Sequence, residues 1–171
     1  MKSFRSTRVA AFTAGLALLT LAGCSKSGSE ATAPTAATES PEDALARQVL
    51  AGKAVFEKVC AVCHQANGQG VPAVFPPLAG SPLITEADPG KIIRATLHGL
   101  QGPITVNGHE FNSVMPPQGP VLNDADLAAA ITYARNSWGN QAPAVTAEQV
   151  SVIRLTVKRD KFWTWEELNA R

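Results

Sequence analysis

Cys60-Ala61-Val62-Cys63-His64 puts two of the chain's three cysteines and one of its three histidines into five residues. Three side chains that bind metals or form covalent links, at that spacing, must serve one centre. The rest of the fold then has to be arranged around that centre. Composition points the same way. Of 171 residues, 45% are hydrophobic but only 6% aromatic, so the core is small and rich in Ala, Val and Leu. A folded region of that kind gains from a buried group or a covalent cross-link.

The third cysteine is accounted for by the N-terminus. Lys2, Arg5 and Arg8 precede an apolar run from Val9 to Ala22, the layout of a secretory signal peptide over residues 1–23. The run is too short for a comfortable transmembrane span. It ends in Leu21-Ala22-Gly23-Cys24, which resembles the lipobox of bacterial lipoproteins and implies lipid attachment at Cys24 with cleavage just before it. The alternative is an ordinary cleaved signal. Without residues 1–23 the chain holds 12 Lys+Arg against 14 Asp+Glu, so the mature protein is formally −2. No basic run long enough for nucleic-acid binding remains. Export places Cys60 and Cys63 in an oxidising compartment, the bacterial periplasm. From Cys24 to Ser40 the chain is small, polar and aperiodic, a flexible linker with a root-mean-square span of roughly 20–25 Å. A domain so tethered hovers and turns above its membrane.

Helix signals dominate the remainder. Ser40 caps, Pro41 takes the first helical position, and Leu45, Val49, Gly52, Phe56 and Val59 form one stripe running into Cys60. Gly and Pro make residues 67–82 a long loop. Asp88-Pro89 opens a second helix carrying Ile92, Ile93 and Leu97, with Gly99 as its stop. Residues 100–121 read as loop, with Asn107-Gly108 a tight hairpin turn. Asn123 caps a third helix with Leu127, Ala130, Ile131 and Ala134, ending at Gly139, and Thr146 to Gln149 form a capping box for a fourth. No strand pattern of useful length appears. The expected class is all-α, with residues 41–140 as the main domain and 141–171 as a helical extension.

Cys-x-x-Cys-His is the attachment pattern of c-type haem. Two thiols three residues apart share one side of a helical turn, where they add to the two vinyl groups of one porphyrin. His64 comes next as the proximal iron ligand. Other centres fit less well. A zinc site needs four ligands, and beyond these three only His98 and His109 are available. A redox dithiol wants strands in βαβ order, and a disulfide here closes too small a loop to add much. The second iron ligand is reached by elimination. Met1 leaves with the signal, so Met115 is the one thioether of the mature chain, in the proline-flanked loop Asn112–Pro120 rather than on a helix stripe. His98, at a helix end, reads as a satisfied structural histidine, and His109 as exposed beside the turn.

With these residues in place, residues 44–140 resemble a class I single-haem cytochrome c. Gly52 and Phe56 stand where that family has the Gly and aromatic residue of its first helix, and Tyr133 where the last helix has its aromatic partner. Pro76-Pro77-Leu78-Ala79-Gly80 matches the family's Pro-x-Leu-x-Gly. The resemblance implies that the Pro76 carbonyl accepts a hydrogen bond from His64, and that Met115 is the axial methionine. Residues 67–81, 97–111 and 133–140 are most similar to two kinds of module, the cytochrome domains fused to some copper nitrite reductases and the cytochrome subunits of membrane-bound alcohol and sugar dehydrogenases. The resemblance and the export signal together imply a lipid-anchored, monomeric electron carrier with one covalent haem c and redox proteins as partners, not an enzyme. The alternatives are a haem enzyme or sensor in which Met115 dissociates, and an obligate dehydrogenase subunit. Phe162, Trp163 and Trp165 are expected to form a flap closing the core, the other reading being an anchor for a partner.

Overall fold

The computed structural model describes residues 40–170. The signal peptide, Cys24 and the linker up to residue 39 lie outside the described residues.

Helix α1 (Pro41–Val59) starts as its cap requires, with Ser40 Oγ accepting from the Asp43 N–H at 3.1 Å and Glu42 and Asp43 at the positive end of the dipole. Of its stripe, Gly52 and Phe56 are buried. Leu45, Val49 and Val59 are half-buried. Cys60 ends α1, and the one-turn helix α2 (Ala61–His64) begins at once. The loop after it runs to Ser81, one residue short of the expected end at residue 82, where a short helix α3 (Pro82–Thr85) begins. Helix α4 (Gly90–His98) ends at Gly99, whose φ of 82° is open to glycine and strained for other residues.

The expected hairpin turn is present and is flanked by real strands. Strand β1 (Pro103–Val106) pairs antiparallel with β2 (His109–Asn112), Val106 opposite His109 and Pro103 opposite Asn112. Asn107 and Gly108 take φ of 52° and 79°, the turn that matches strand twist. Four-residue strands carry too little alternation to stand out in the sequence.

Helix α5 (Asp124–Arg135) is capped by Asn123, whose side-chain oxygen accepts from Asp126 N at 2.8 Å. It stops at Arg135, four residues before Gly139, where the Asn136 side chain turns back on the Thr132 carbonyl at 3.0 Å. Its nine residues from Leu127 to Arg135 are all buried, more than one stripe, because α1, α3 and the helix α6 (Ala147–Thr156) pack around it. Small residues let α1 come close: Gly52 lies against the Ala129 carbonyl. Phe56 packs on Tyr133 with ring centroids 5.2 Å apart. Trp138 joins them at 5.2 Å and 5.4 Å. Phe56 and Tyr133, both buried, each contribute about 1.5–3 kcal/mol by burial.

Thr146 and Gln149 form the expected capping box of α6. The tail carries a second box, Thr164 with Glu167, that starts α7 (Trp165–Asn169). Trp163 is 2% exposed and packs with Ala95, Leu100 and Leu168, so the tail closes over the chain's own core.

Candidate haem-binding site

The end of α1 and the turn α2 present both thiols and the imidazole together. His64 N–H bonds to Cys60 O at 3.0 Å, which winds the turn so that Cys60, Cys63 and His64 all face one cavity. The chain leaves the turn abruptly. Gln65 takes φ 61° and ψ 156°, a conformation that glycine adopts readily and other residues at a cost of order 1–3 kcal/mol. Gly70 then bonds back to His64 O at 2.9 Å, and Leu78 and Ala79 both donate to Gly68 O. These bonds fold the loop under the imidazole.

That folding delivers Pro76. Its carbonyl lies 3.0 Å from His64 Nδ1. A carbonyl only accepts, so Nδ1 carries the proton and Nε2 keeps its lone pair. Burial lowers the His64 pKa, opposed by the Pro76 bond, so the neutral ring is the favoured form. Burial first and Cys63 second push the Cys60 thiol up to about 11. Both cysteines are free, and no cluster of three His, Cys, Asp or Glu with metal-binding geometry occurs among the described residues.

The cavity has a volume of about 320 Å³. Val59, Leu83, Ile92, Leu100, Leu127 and Ile131 give it an apolar wall, and the hairpin adds Ile104, Val106 and Phe111. Met115 lines the same cavity and is half-buried. Val62 and Val114 line it too while 73% and 55% exposed, which marks where it reaches solvent. Apolar walls, two thiols, an imidazole with a free Nε2 and a thioether are the donor set and lining that a covalently bound haem requires. The other histidines stand elsewhere. His109 is exposed, as expected. His98 faces a separate cavity with Arg154 and Arg159, and its Nε2 is buried without a hydrogen-bond partner, so it is less satisfied than its place at a helix end implied.

Three supporting side chains escaped the sequence reading. Trp138 donates to Ala66 O at 3.1 Å and covers Gly68, so it holds the loop after His64. Asn140, buried, accepts from Gly80 N and donates to Leu78 O and Ala134 O, tying the Pro76–Gly80 segment to α5. Arg135 is 0% exposed and donates to Pro143 O at 2.8 Å and Ile84 O at 2.7 Å. Their signal was the run Arg135–Asn140, dense in side chains able to hydrogen-bond just past a helix end.

Comparison with known proteins bears directly on this arrangement. The model of the cytochrome c family matches residues 49–138. Cytochrome c-552 of Thermus thermophilus is 40% identical over 103 residues, covering 56% of this chain and 78% of that protein. The cytochrome c subunit of a quinone alcohol dehydrogenase from Gluconacetobacter polyoxogenes is 36% identical over 106 residues, 61% of this chain and 22% of that subunit. The fructose dehydrogenase cytochrome subunit of Gluconobacter japonicus is 32% identical over 109 residues, again 22% of its length. The chain thus spans under a quarter of the dehydrogenase subunits it matches, and most of cytochrome c-552. Since the family match runs through both cysteines, His64 and the Met115 loop within more than half of the sequence, the chain belongs to the cytochrome c family and carries haem c covalently.

Proposed function

We propose that this protein is a one-electron carrier in which His64 and Met115 are the two iron ligands. The observation that carries the reading is that both side chains line one apolar cavity, with His64 held by Pro76 so that its Nε2 is free. Haem c supplies the one-electron iron couple. Cys60 and Cys63 hold it against loss, and Pro76 orients His64 and raises its basicity. Met115 fills the position that would otherwise admit a small ligand, and a thioether there favours a higher potential than a second nitrogen. The apolar wall excludes water, while Val62 and Val114 border the edge through which a partner exchanges electrons. Contacts with such partners are small and transient.

The export signal and Cys24 support a periplasmic, lipid-anchored location, with residues 24–40 as the tether and a monomeric carrier at its end. Among the described residues no helix is long and apolar enough to cross a membrane. The similarity to alcohol and fructose dehydrogenase cytochrome subunits favours a second reading, a dedicated partner of a dehydrogenase. Purification from native membranes separates the two, since a dedicated subunit co-purifies with the dehydrogenase and a shuttle does not.

The ligand assignment is tested by the absorption spectrum of the oxidised protein. A weak band at the red edge, lost in Met115→Ala along with a rise in cyanide affinity, is the expected result. No such band in the wild type, with rapid binding of cyanide or carbon monoxide, overturns the carrier in favour of a ligand-binding haem protein.

A further inference from the structure

The segment that carries Met115 is held by residues from beyond the family match. Leu100 exchanges both backbone hydrogen bonds with Met115, Leu100 N to Met115 O at 3.0 Å and Met115 N to Leu100 O at 2.8 Å. On its other side the same short strand pairs in parallel with Trp163, through Trp163 N to Gly99 O at 3.0 Å and Gln101 N to Trp163 O at 2.9 Å. Residue 99 is the point of closest approach. A Cβ there would meet Met115 O at 2.7 Å and the Phe162 ring from the tail. Met115 itself packs in the cluster built by Trp163, Leu168, Leu100 and Ala95.

A second tie grips the far end of the loop. Arg154 on α6 donates through Nη1 to Gly119 O at 2.6 Å and through Nη2 to Leu122 O at 2.8 Å, while Nε meets Asp124 Oδ1 at 2.6 Å. Between the two ties, Gln118 N and Gly119 N bond to Thr96 O and Leu97 O, carbonyls at the end of α4. The tail is itself pinned. Arg159 lies 3.8 Å over the Trp163 ring and donates to Phe162 O and Glu167 Oε2.

We infer that residues 154–168 form a positioning clamp for Met115, with Arg154 and Trp163 as its two contact points. The inference rests on Met115 being the second iron ligand. A flap that only covers apolar surface has no reason to hydrogen-bond the far end of the Met115 loop through Arg154, nor to pair through Trp163 with the same Leu100 strand that Met115 pairs with. The clamp restrains the loop's excursions, so the sixth position stays filled and the protein stays a carrier. Trp163 and Arg154 act through the loop and touch no iron.

The test uses the full haem-loaded protein and four variants: Trp163→Ala, Trp163→Phe, Arg154→Gln and Val150→Ala. Val150 is buried in the other core cluster, which includes neither Met115 nor Trp163. The readouts are the red-edge band, cyanide affinity of the oxidised protein and hydrogen exchange at the Met115 and Leu100 amides. Trp163→Ala and Arg154→Gln are expected to raise cyanide affinity on the order of tenfold, as 1.4 kcal/mol of lost restraint does, and to speed exchange at both amides. Trp163→Phe restores most of the wild-type behaviour. Val150→Ala lowers the melting temperature with cyanide affinity unchanged. Should Val150→Ala raise cyanide affinity as much as Trp163→Ala, or Arg154→Gln leave it at the wild-type value, the clamp is overturned. A failure of the ligand assignment shows separately, as a Met115→Ala variant with wild-type spectrum and cyanide affinity.

Discussion

Gly70 decides how firmly His64 is held. Its φ is +63°, and an added Cβ would sit 2.6 Å from the Pro76 carbonyl oxygen that His64 Nδ1 bonds. Gly70→Ala therefore strains the backbone and displaces that acceptor together. The expected loss is at least about 1 kcal/mol of stability in a chemical melt. The reduction potential should also rise, because an imidazole that donates no hydrogen bond is a less basic ligand. His98 supplies a pH effect of its own. Burial, then the charges of Arg159, Arg154 and Lys158, lower its pKa below the ordinary 6.5, outweighing its bond to the Arg159 backbone. The unfolded chain then binds a proton that the folded chain refuses, so stability falls as pH drops from about 6.5 to the folded value and levels off below it. The melting temperature of His98→Asn should decline less between pH 7.5 and pH 5 than that of the wild type. Equal declines would mean that His98 is not a source of the acid sensitivity.

At the scale of elements, the crossing of α1 and α5 carries the domain. α5 is rich in alanine and buried along nine consecutive residues, which lets α1 pack at Gly52 with backbone against backbone. A Cβ at residue 52 would overlap the Ala129 carbonyl and reach Tyr133 Cβ at 2.9 Å. Neither neighbour is a flexible side-chain tip, so the helices must separate. Gly52→Ala is expected to cost about 1–3 kcal/mol in urea titration despite its better helix propensity. The same shift moves Phe56 off Tyr133 and Trp138, and with Trp138 the loop under His64. A variant as stable as wild type would show that the crossing is looser than its geometry. The caps of α1, α5 and α6 are local devices worth about 1 kcal/mol each; they start helices without choosing how the helices cross.

For the whole molecule, the issue is how a small, aromatic-poor chain closes. Trp163 and Leu168, 2% and 0% exposed, supply apolar bulk from the tail. Deleting residues 158–171 should lower the melting temperature of the haem-loaded protein by several degrees, since the lost burial of Trp163 and Leu168 is worth a few kcal/mol and each lost 1 kcal/mol shifts it by roughly 2–4 °C at about 150 residues. An unchanged melting temperature with lost electron transfer to a partner complex would instead make the tail a docking element.

Residue type and short spacing carry a good part of this protein. Cys60, Cys63 and His64 are adjacent in sequence, so their shared centre is legible without a fold. Met115 stands out by scarcity, and it lines the same cavity. The caps at Ser40, Asn123 and Thr146 are legible because capping involves residues three apart. Tertiary structure alone decided how those parts are supported. Arg135 bonds a carbonyl 51 residues away, Asn140 one 62 away and Trp138 one 72 away. The pairing of Leu100 with both Met115 and Trp163 likewise joins distant segments. Periodicity and propensity describe neighbours along the chain, whereas these bonds depend on which carbonyls the packed helices leave buried and unpaired. The proposed ligands could therefore be named from the sequence, but what holds them in place emerges only when the chain is folded.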